Sequence, residues 1–216
     1  DQIRNTSEMQ FRQEFETEFL GSVNTLISAV KLRELTFVTP TKNNFNVDIY
    51  KLPIPKHTYT ICVDTAHGAG LDYSAFSVID VTEVPYLQVA KYYNNSISPQ
   101  VYPDIVSRCA KYYNDAYILV ETNDIGHQVA ETLHSDLECE NVLSTVSRGR
   151  AGQFIGGGFS GSKQTLGVKM SKQVKRIGCS NLKDLVEANK LLTNDFDTIS
   201  ELSNFISVKD SFEAEE

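Results

Sequence analysis

Two acidic residues each close an apolar run. Asp64 follows Tyr59-Thr60-Ile61-Cys62-Val63, and Glu121 follows Tyr117-Ile118-Leu119-Val120. Both runs have the β-branched and aromatic make-up of buried strands. A carboxylate at the end of such a strand is costly unless something neutralises it. Two brought together invite a divalent cation. Hard cations take oxygen ligands, and Mg2+ keeps several of its waters, so few protein carboxylates suffice. Mg2+ or Mn2+ held by Asp64 and Glu121 would suit metal-assisted hydrolysis of a phosphodiester: two ions about 4 Å apart can hold the attacking water and the leaving 3′ oxygen in line. Asp72, eight residues beyond Asp64, is a candidate further metal ligand, or simply an aspartate that favours a turn. The competing reading of Asp64 and Glu121 is that both sit in exposed loops just past their strands. His67 stands near Asp64 and is the one histidine whose spacing suggests a role. Asn123 or Asp124 is placed to cap a following helix.

A second signal is charge. Over the whole chain the net charge is −8, which argues against a polyanionic partner. Its distribution reverses that. Residues 147–190 carry nine basic side chains against two acidic ones, a net +7, whereas the rest carries 11 against 26, a net −15. The nine are Arg148, Arg150, Lys163, Lys169, Lys172, Lys175, Arg176, Lys183 and Lys190. On a helix, Lys172, Arg176, Lys183 and Lys190 fall within about 40° of one another, with Val174, Ile177, Leu182, Leu185 and Ala188 towards the other side. Such a stripe is either a solvated face or a track for a DNA backbone, giving affinity without sequence preference.

Other motifs fail on inspection. Gly156 to Thr165 imitates a nucleotide-binding P-loop, but Ser162 separates Gly161 from Lys163, and no strand-to-helix context surrounds it. The turn Asp64-Thr65-Ala66-His67-Gly68-Ala69-Gly70 admits an actin-like ATPase lobe, a fold that needs two such lobes and more chain. Cys62, Cys109, Cys139 and Cys179 form no CxxC pair, which disfavours zinc and a disulfide framework and suits a reducing compartment. No apolar run is long enough to span a membrane.

The elements that must position the two acids follow from periodicity and turn residues. Residues 1–56 read as an N-terminal helix (1–20, with Met9, Phe11, Phe15 and Phe19 near helical spacing) and a connecting arm with short strands at 36–38 and 46–49. Residues 57–216 read as one α/β domain: strands 57–64, 74–81 and 86–94 in an antiparallel meander, a helix at 100–113, a strand at 117–122, a helix at 126–138 and a strand at 142–146. A long glycine-rich basic loop (147–167) comes next, then helices at 171–192, with a possible break at Gly178, and 198–205. This order predicts a mixed five-stranded sheet of ribonuclease H-like type, antiparallel meander plus parallel strands flanked by helices. Strand 117–122 then lies parallel beside strand 57–64, and Asp64 and Glu121 meet at one edge.

Several stretches carry a family resemblance: Phe11-Arg12-Gln13-Glu14; Glu18 to Ser22 with Asn24-Thr25-Leu26-Ile27; Asp64 with Gly70-Leu71-Asp72-Tyr73; Val120-Glu121; Gly167-Val168-Lys169 through Lys175; and Gly178 to Lys183. The chain resembles the C-terminal nuclease domain of the large terminase subunit of tailed bacteriophages, the contractile-tail type in particular. That resemblance implies a ribonuclease H-like endonuclease that cuts concatemeric double-stranded DNA during genome packaging. Asp64 and Glu121 match the family's first two metal-binding catalytic acids, and Asp72 matches an acid beside them. It implies as partners a packaging ATPase domain preceding Asp1, the portal and the small terminase subunit. The implied setting is the host cytoplasm and, transiently, the procapsid portal. A third catalytic aspartate is expected just past Glu216, because Ala214-Glu215-Glu216 matches the start of the segment that precedes it. A non-catalytic DNA-clamping module of the packaging motor is the alternative.

Overall fold

The computed structural model describes residues 25–44, 46–147, 153–156, 164–208 and 211–214. The expected helix at 1–20, the first resembling stretch and the second as far as Asn24 lie outside them. The elements run α1 (Ala29–Glu34), β1 (Lys42–Asn44), β2 (Val47–Ile49), β3 (Tyr59–Asp64), β4 (Ser74–Asp80), β5 (Tyr86–Asn94), α2 (Tyr102–Tyr112), β6 (Tyr117–Val120) and α3 (Gly126–Glu131), whose last turns widen over Thr132–Asp136. They continue as β7 (Ser144–Ser147), β8 (Gln153–Ile155), β9 (Gln164–Leu166), α4 (Lys172–Glu187), β10 (Leu191–Leu192), α5 (Phe196–Ser203), β11 (Phe205–Val208) and β12 (Ser211–Ala214).

The main sheet is mixed and has the order β1-β2-β5-β4-β3-β6, with β10 pairing β5. It therefore has seven strands rather than the five expected. The meander β3-β4-β5 is antiparallel, and β6 lies parallel to β3 with Ile61 opposite Ile118 and Val63 opposite Val120. The connecting arm supplies β1 and β2, while 36–38 forms no strand. Two-residue β10 is too short for any periodicity to announce.

Alternation decides which face is buried. In β3, Tyr59, Ile61 and Val63 point inward, and Thr60, Cys62 and Asp64 point away. The inward residues join Phe76, Val78, Ala90, Tyr92, Ile118 and Val120 in a core closed by Tyr102, Val106 and Ala110 of α2 and Val129 of α3. The opposite face is partly roofed by α5. Here Lys91 meets Asp195 at 2.8 Å and also bonds Asp197, Tyr50 donates to Asp195 at 2.6 Å, and Gln88 donates to Ser77 and Thr198. A second core joins Leu26, Ile27 and Leu32 to Val186 and Leu182 of α4 and to Phe205 and Phe212 of the β11–β12 hairpin.

The strand expected at 142–146 is a correction. Val142 makes one parallel bridge to Ile118, and the chain then departs to begin a separate sheet, β8-β7-β9. The edge beside Glu121 is taken instead by Val168, which exchanges backbone hydrogen bonds with Val120 and Thr122 at 2.8 and 2.9 Å. Part of the expected basic loop is therefore paired strand. Helix α4 runs unbroken through Gly178, where a side chain would meet only open space.

Candidate metal centre and nucleic-acid face

Asp64 and Glu121 end adjacent parallel strands in matching register. The Glu121 amide donates to the carbonyl of Val63 at 2.8 Å. Neighbouring strands lie about 4.8 Å apart, and residues in matching register share a face, so both carboxylates rise on the side away from the core. Their backbones are held from several directions. The Tyr102 hydroxyl, buried at the start of α2, donates to the carbonyls of Asp64 (3.2 Å) and Ala75 (2.7 Å). Buried Ser74 ties the turn after Asp64 to β4 through the Ala66 amide at 3.0 Å. On the other side, Asn123 grips Met170 at two points, each 2.9 Å. That contact carries the chain into α4, which opens with Ser171 capping the Val174 amide.

Two glycines let this packing close around Glu121. A Cβ on Gly126 would lie 1.8 Å from the Glu121 carbonyl oxygen. One on Gly167, whose φ is +67°, would lie 2.3 Å from the Val120 carbonyl oxygen. Neither distance is tolerable, so glycine is required at both positions.

The electrostatics are dominated by burial and by neighbouring acids. Asp64 stays open to solvent on one side. Burial on the other side nevertheless pushes its carboxyl above the ordinary range, Asp72 adds to the rise, and the Thr65 amide, bonded at 2.8 Å, opposes it. Burial and then the Asp64 charge push Glu121 up, with Lys175 offsetting part of the rise. Among the described residues neither carboxylate forms an ion pair. Nor do three His, Cys, Asp or Glu side chains converge closely enough to cage an ion. Two hard oxygen donors with solvent beside them fit a cation that keeps several waters, as Mg2+ does. Asp72 lies near enough to act on Asp64 and stays exposed.

His67 and Asp124, unrelated in the sequence reading, pair with each other at 2.6 Å, both exposed. Their contact links the turn after Asp64 to the turn after Glu121. Asp124 is therefore not the helix cap, and its φ of +50° takes it out of a capping conformation. Asn123 is not the cap either, its side chain being committed to Met170.

Of the basic residues, Arg148, Arg150 and Lys163 lie outside the described residues. Lys169 leads into α4, and Lys172, Arg176 and Lys183 are exposed along it. Lys190 lies beyond the end of the helix, its carbonyl taken by the Tyr86 amide at 2.8 Å. Lys175 is half-buried, with its ammonium 5.6 Å above the Phe205 ring and close enough to Glu121 to stabilise that charge. The inward stripe of α4 is thus Lys175, Cys179, Leu182 and Val186, whereas Ile177, expected inside, is 38% exposed. The Lys175–Glu121 proximity and the role of Gly126 and Gly167 escaped sequence reasoning. The Lys175 and Gly167 contacts follow the unforeseen pairing of Val168 with the end of β6, whereas Gly126 meets the Glu121 carbonyl within the turn from β6 into α3.

The fold has counterparts among known proteins. The family model of the terminase RNaseH-like domain matches residues 61–216. The large terminase subunits of Thermus virus P23-45 and Thermus phage G20c are each 26% identical over 199 residues, covering 92% of this chain and 35% of theirs. The chain thus spans about a third of the length of these relatives. Among solved structures, the large terminase nuclease of phage G20c with bound magnesium superposes with a TM-score of 0.65 at 21% identity, covering 89% of this chain and 88% of that one. The nuclease domain of Thermus phage P74-26 gives 0.63 at 24%, covering 89% and 87%. With the family model spanning most of the sequence and the same fold in these structures, this chain belongs to the terminase RNaseH-like domain family.

Proposed function

We propose that this chain is the metal-dependent endonuclease domain of a DNA-packaging terminase, cutting concatemeric double-stranded DNA by hydrolysis of phosphodiester bonds. The observation that carries the reading is the in-register pair Asp64 and Glu121, two carboxylates raised by burial and by a neighbouring acid (Asp72 for Asp64, Asp64 for Glu121), neither in an ion pair among the described residues. In this reading Asp64 and Glu121 hold Mg2+ or Mn2+, with Asp72 as a further ligand or an orienting neighbour. Homologous terminase nucleases solved with bound magnesium and with bound cobalt support a divalent metal. The metal, once bound, supplies an activated water and charge stabilisation for the leaving oxygen. The chain's own residues orient that site. Val63 and Tyr102 fix the two backbones, and Lys175 holds positive charge beside Glu121 where a scissile phosphate would arrive. Lys169, Lys172, Arg176 and Lys183, with Arg148, Arg150 and Lys163, hold the duplex backbone without reading its sequence. The partners of the whole assembly are then an ATPase domain, the portal and the small terminase subunit, in the host cytoplasm and at the procapsid portal.

Plasmid nicking with Mn2+ or Mg2+ tests the reading. Asp64→Asn is expected to lose at least about 100-fold in rate, since even partners one step removed from a metal are worth about 10- to 100-fold. Equal nicking by the variant overturns the assignment. DNA binding without cutting under any divalent metal would favour a non-catalytic clamp.

A further inference from the structure

At the level of Asp64 a row of residues crosses the sheet on one face: Val168, Glu121, Asp64, Ala75 and Tyr93. The two flanks of the carboxylates differ sharply. Beyond Glu121 lies the basic start of α4. Beyond Asp64 a groove of about 180 Å³ runs between Cys62, Ser77 and Tyr93 on the sheet and Thr198 and Glu201 on α5. Its one lysine, Lys91, is committed to Asp195 and Asp197. Among the described residues lining it, no cation is left to receive a phosphate, and Glu201 would repel one.

The outer wall of this groove is aromatic. The Tyr93 ring stacks on Tyr73 with centroids 3.9 Å apart and planes 4° from parallel, yet the two residues remain 39% and 40% exposed. Tyr73 directly precedes β4, next to Asp72, and the loop behind it is pinned to Asn95, the residue just past β5, by reciprocal bonds between Gly70 and Asn95 at 2.9 and 3.2 Å. Tyr93 is held between Tyr73 and the Lys91 ammonium, 5.6 Å from its centroid, with its hydroxyl bonded to Glu201, so the stack is fixed in place and the ring face it offers to solvent is that of Tyr73, in line with the acidic pair.

We propose that the Tyr73–Tyr93 stack is a platform for a nucleobase of the strand that passes through the carboxylate site, with that strand's phosphates turned towards α4. A neutral heteroaromatic ring suits a wall that is flat and lacks a free cation. Every base has such a face, so the contact is tolerant of sequence. A base reaches the platform only when it is unpaired, so the site favours single-stranded or locally opened DNA over intact duplex. The proposal rests on the nuclease reading for the path of the strand.

The test reads binding rather than cutting. The whole chain is titrated, in metal-free buffer, into a single-stranded oligonucleotide containing 2-aminopurine. Stacking on tyrosine quenches the wild-type complex. Tyr73→Ala and Tyr93→Ala weaken binding about 5- to 150-fold, the range one base–aromatic stack supports, and abolish the quench. Tyr73→Phe and Tyr93→Phe stay within about two-fold, because the ring is kept. Lys172→Ala weakens binding but leaves the quench at saturation intact. The proposal is overturned by an unquenched wild-type complex, a measurement independent of how any variant folds. It is equally overturned by an alanine variant with wild-type melting that binds and quenches as wild type. Quenching without metal-dependent cutting would sink the nuclease reading alone, and cutting without quenching would sink the platform alone.

Discussion

Glu121 donates its amide to the carbonyl of Val63, at 2.8 Å. That bond fixes Glu121 opposite Asp64, the residue that follows Val63. A one-residue slip of β6 would send Glu121 to the core face and bury an unpartnered carboxylate. The register of two parallel strands is therefore the physical basis of the site.

The glycines that close against β6 make this register testable. Gly126→Ala or Gly167→Ala forces a Cβ to within 1.8 or 2.3 Å of a carbonyl oxygen. Each should cost about 1–3 kcal/mol in a denaturant melt, the usual range for overpacking, and should reduce cutting by moving Glu121. Gly178→Ala is the contrast: in open space within α4, it should stabilise by about 0.5–1 kcal/mol and leave cutting unchanged.

Asp64 and Glu121 are both raised in the fold, by burial and by neighbouring acids. A raised carboxylate penalises the folded state above its folded pKa. The penalty fades as pH falls through that value and is gone below the unfolded value of about 4. Asp64→Asn should therefore melt higher than metal-free wild type at pH 7, and the gap should shrink towards pH 4. Added Mn2+ should raise the wild-type melting temperature and leave the variant's almost unmoved. Equal gaps at both pH values would count against a carboxylate raised by burial and by Asp72.

The exposed lysines and arginine of α4 predict a salt signature. Lys172→Ala, Arg176→Ala and Lys183→Ala should each lower duplex affinity equally across unrelated sequences. Each should also reduce the slope of log affinity against log salt by about 1. Slopes unchanged across all three would remove α4 from the DNA path.

Beneath α5, Lys91 and Asp195 are nearly sealed, with side chains 9% and 3% exposed. Burial alone would raise Asp195, but bonds from Lys91, Tyr50 and Thr198 hold it below the ordinary range. Burial would lower Lys91, and Asp195 and Asp197 outweigh it and raise the amine. The contribution from Asp195 is present above about pH 4 and is lost as pH falls through its depressed folded value. That from Lys91 is complete below about pH 10.4 and is lost as pH rises through its raised folded value. Lys91→Met, which strands Asp195, should cost about 3–5 kcal/mol in denaturant melts at neutral pH.

Much of this architecture is legible in the residues. The β3, β4 and β5 strands announce themselves by alternation, and the order of three strands, helix and strand brings Asp64 beside Glu121. What stays hidden is set by long-range pairing. Val168 and Val142 share the outer edge of β6, and no local pattern assigns which segment lies beside Glu121. Helix α4 packs along a narrow stripe against the β11–β12 hairpin, so Lys175 turns inward and Ile177 outward, against the simple helical wheel. Asp124 looks like a cap by type and position, but a left-handed backbone and His67 claim it instead.

The most direct test of the central claim is a crystal of this chain soaked in Mn2+ and measured for anomalous scattering. The account predicts a peak within coordination distance of carboxylate oxygens from both Asp64 and Glu121, absent in Asp64→Asn. A peak touching neither residue, or no peak at millimolar Mn2+, would contradict it.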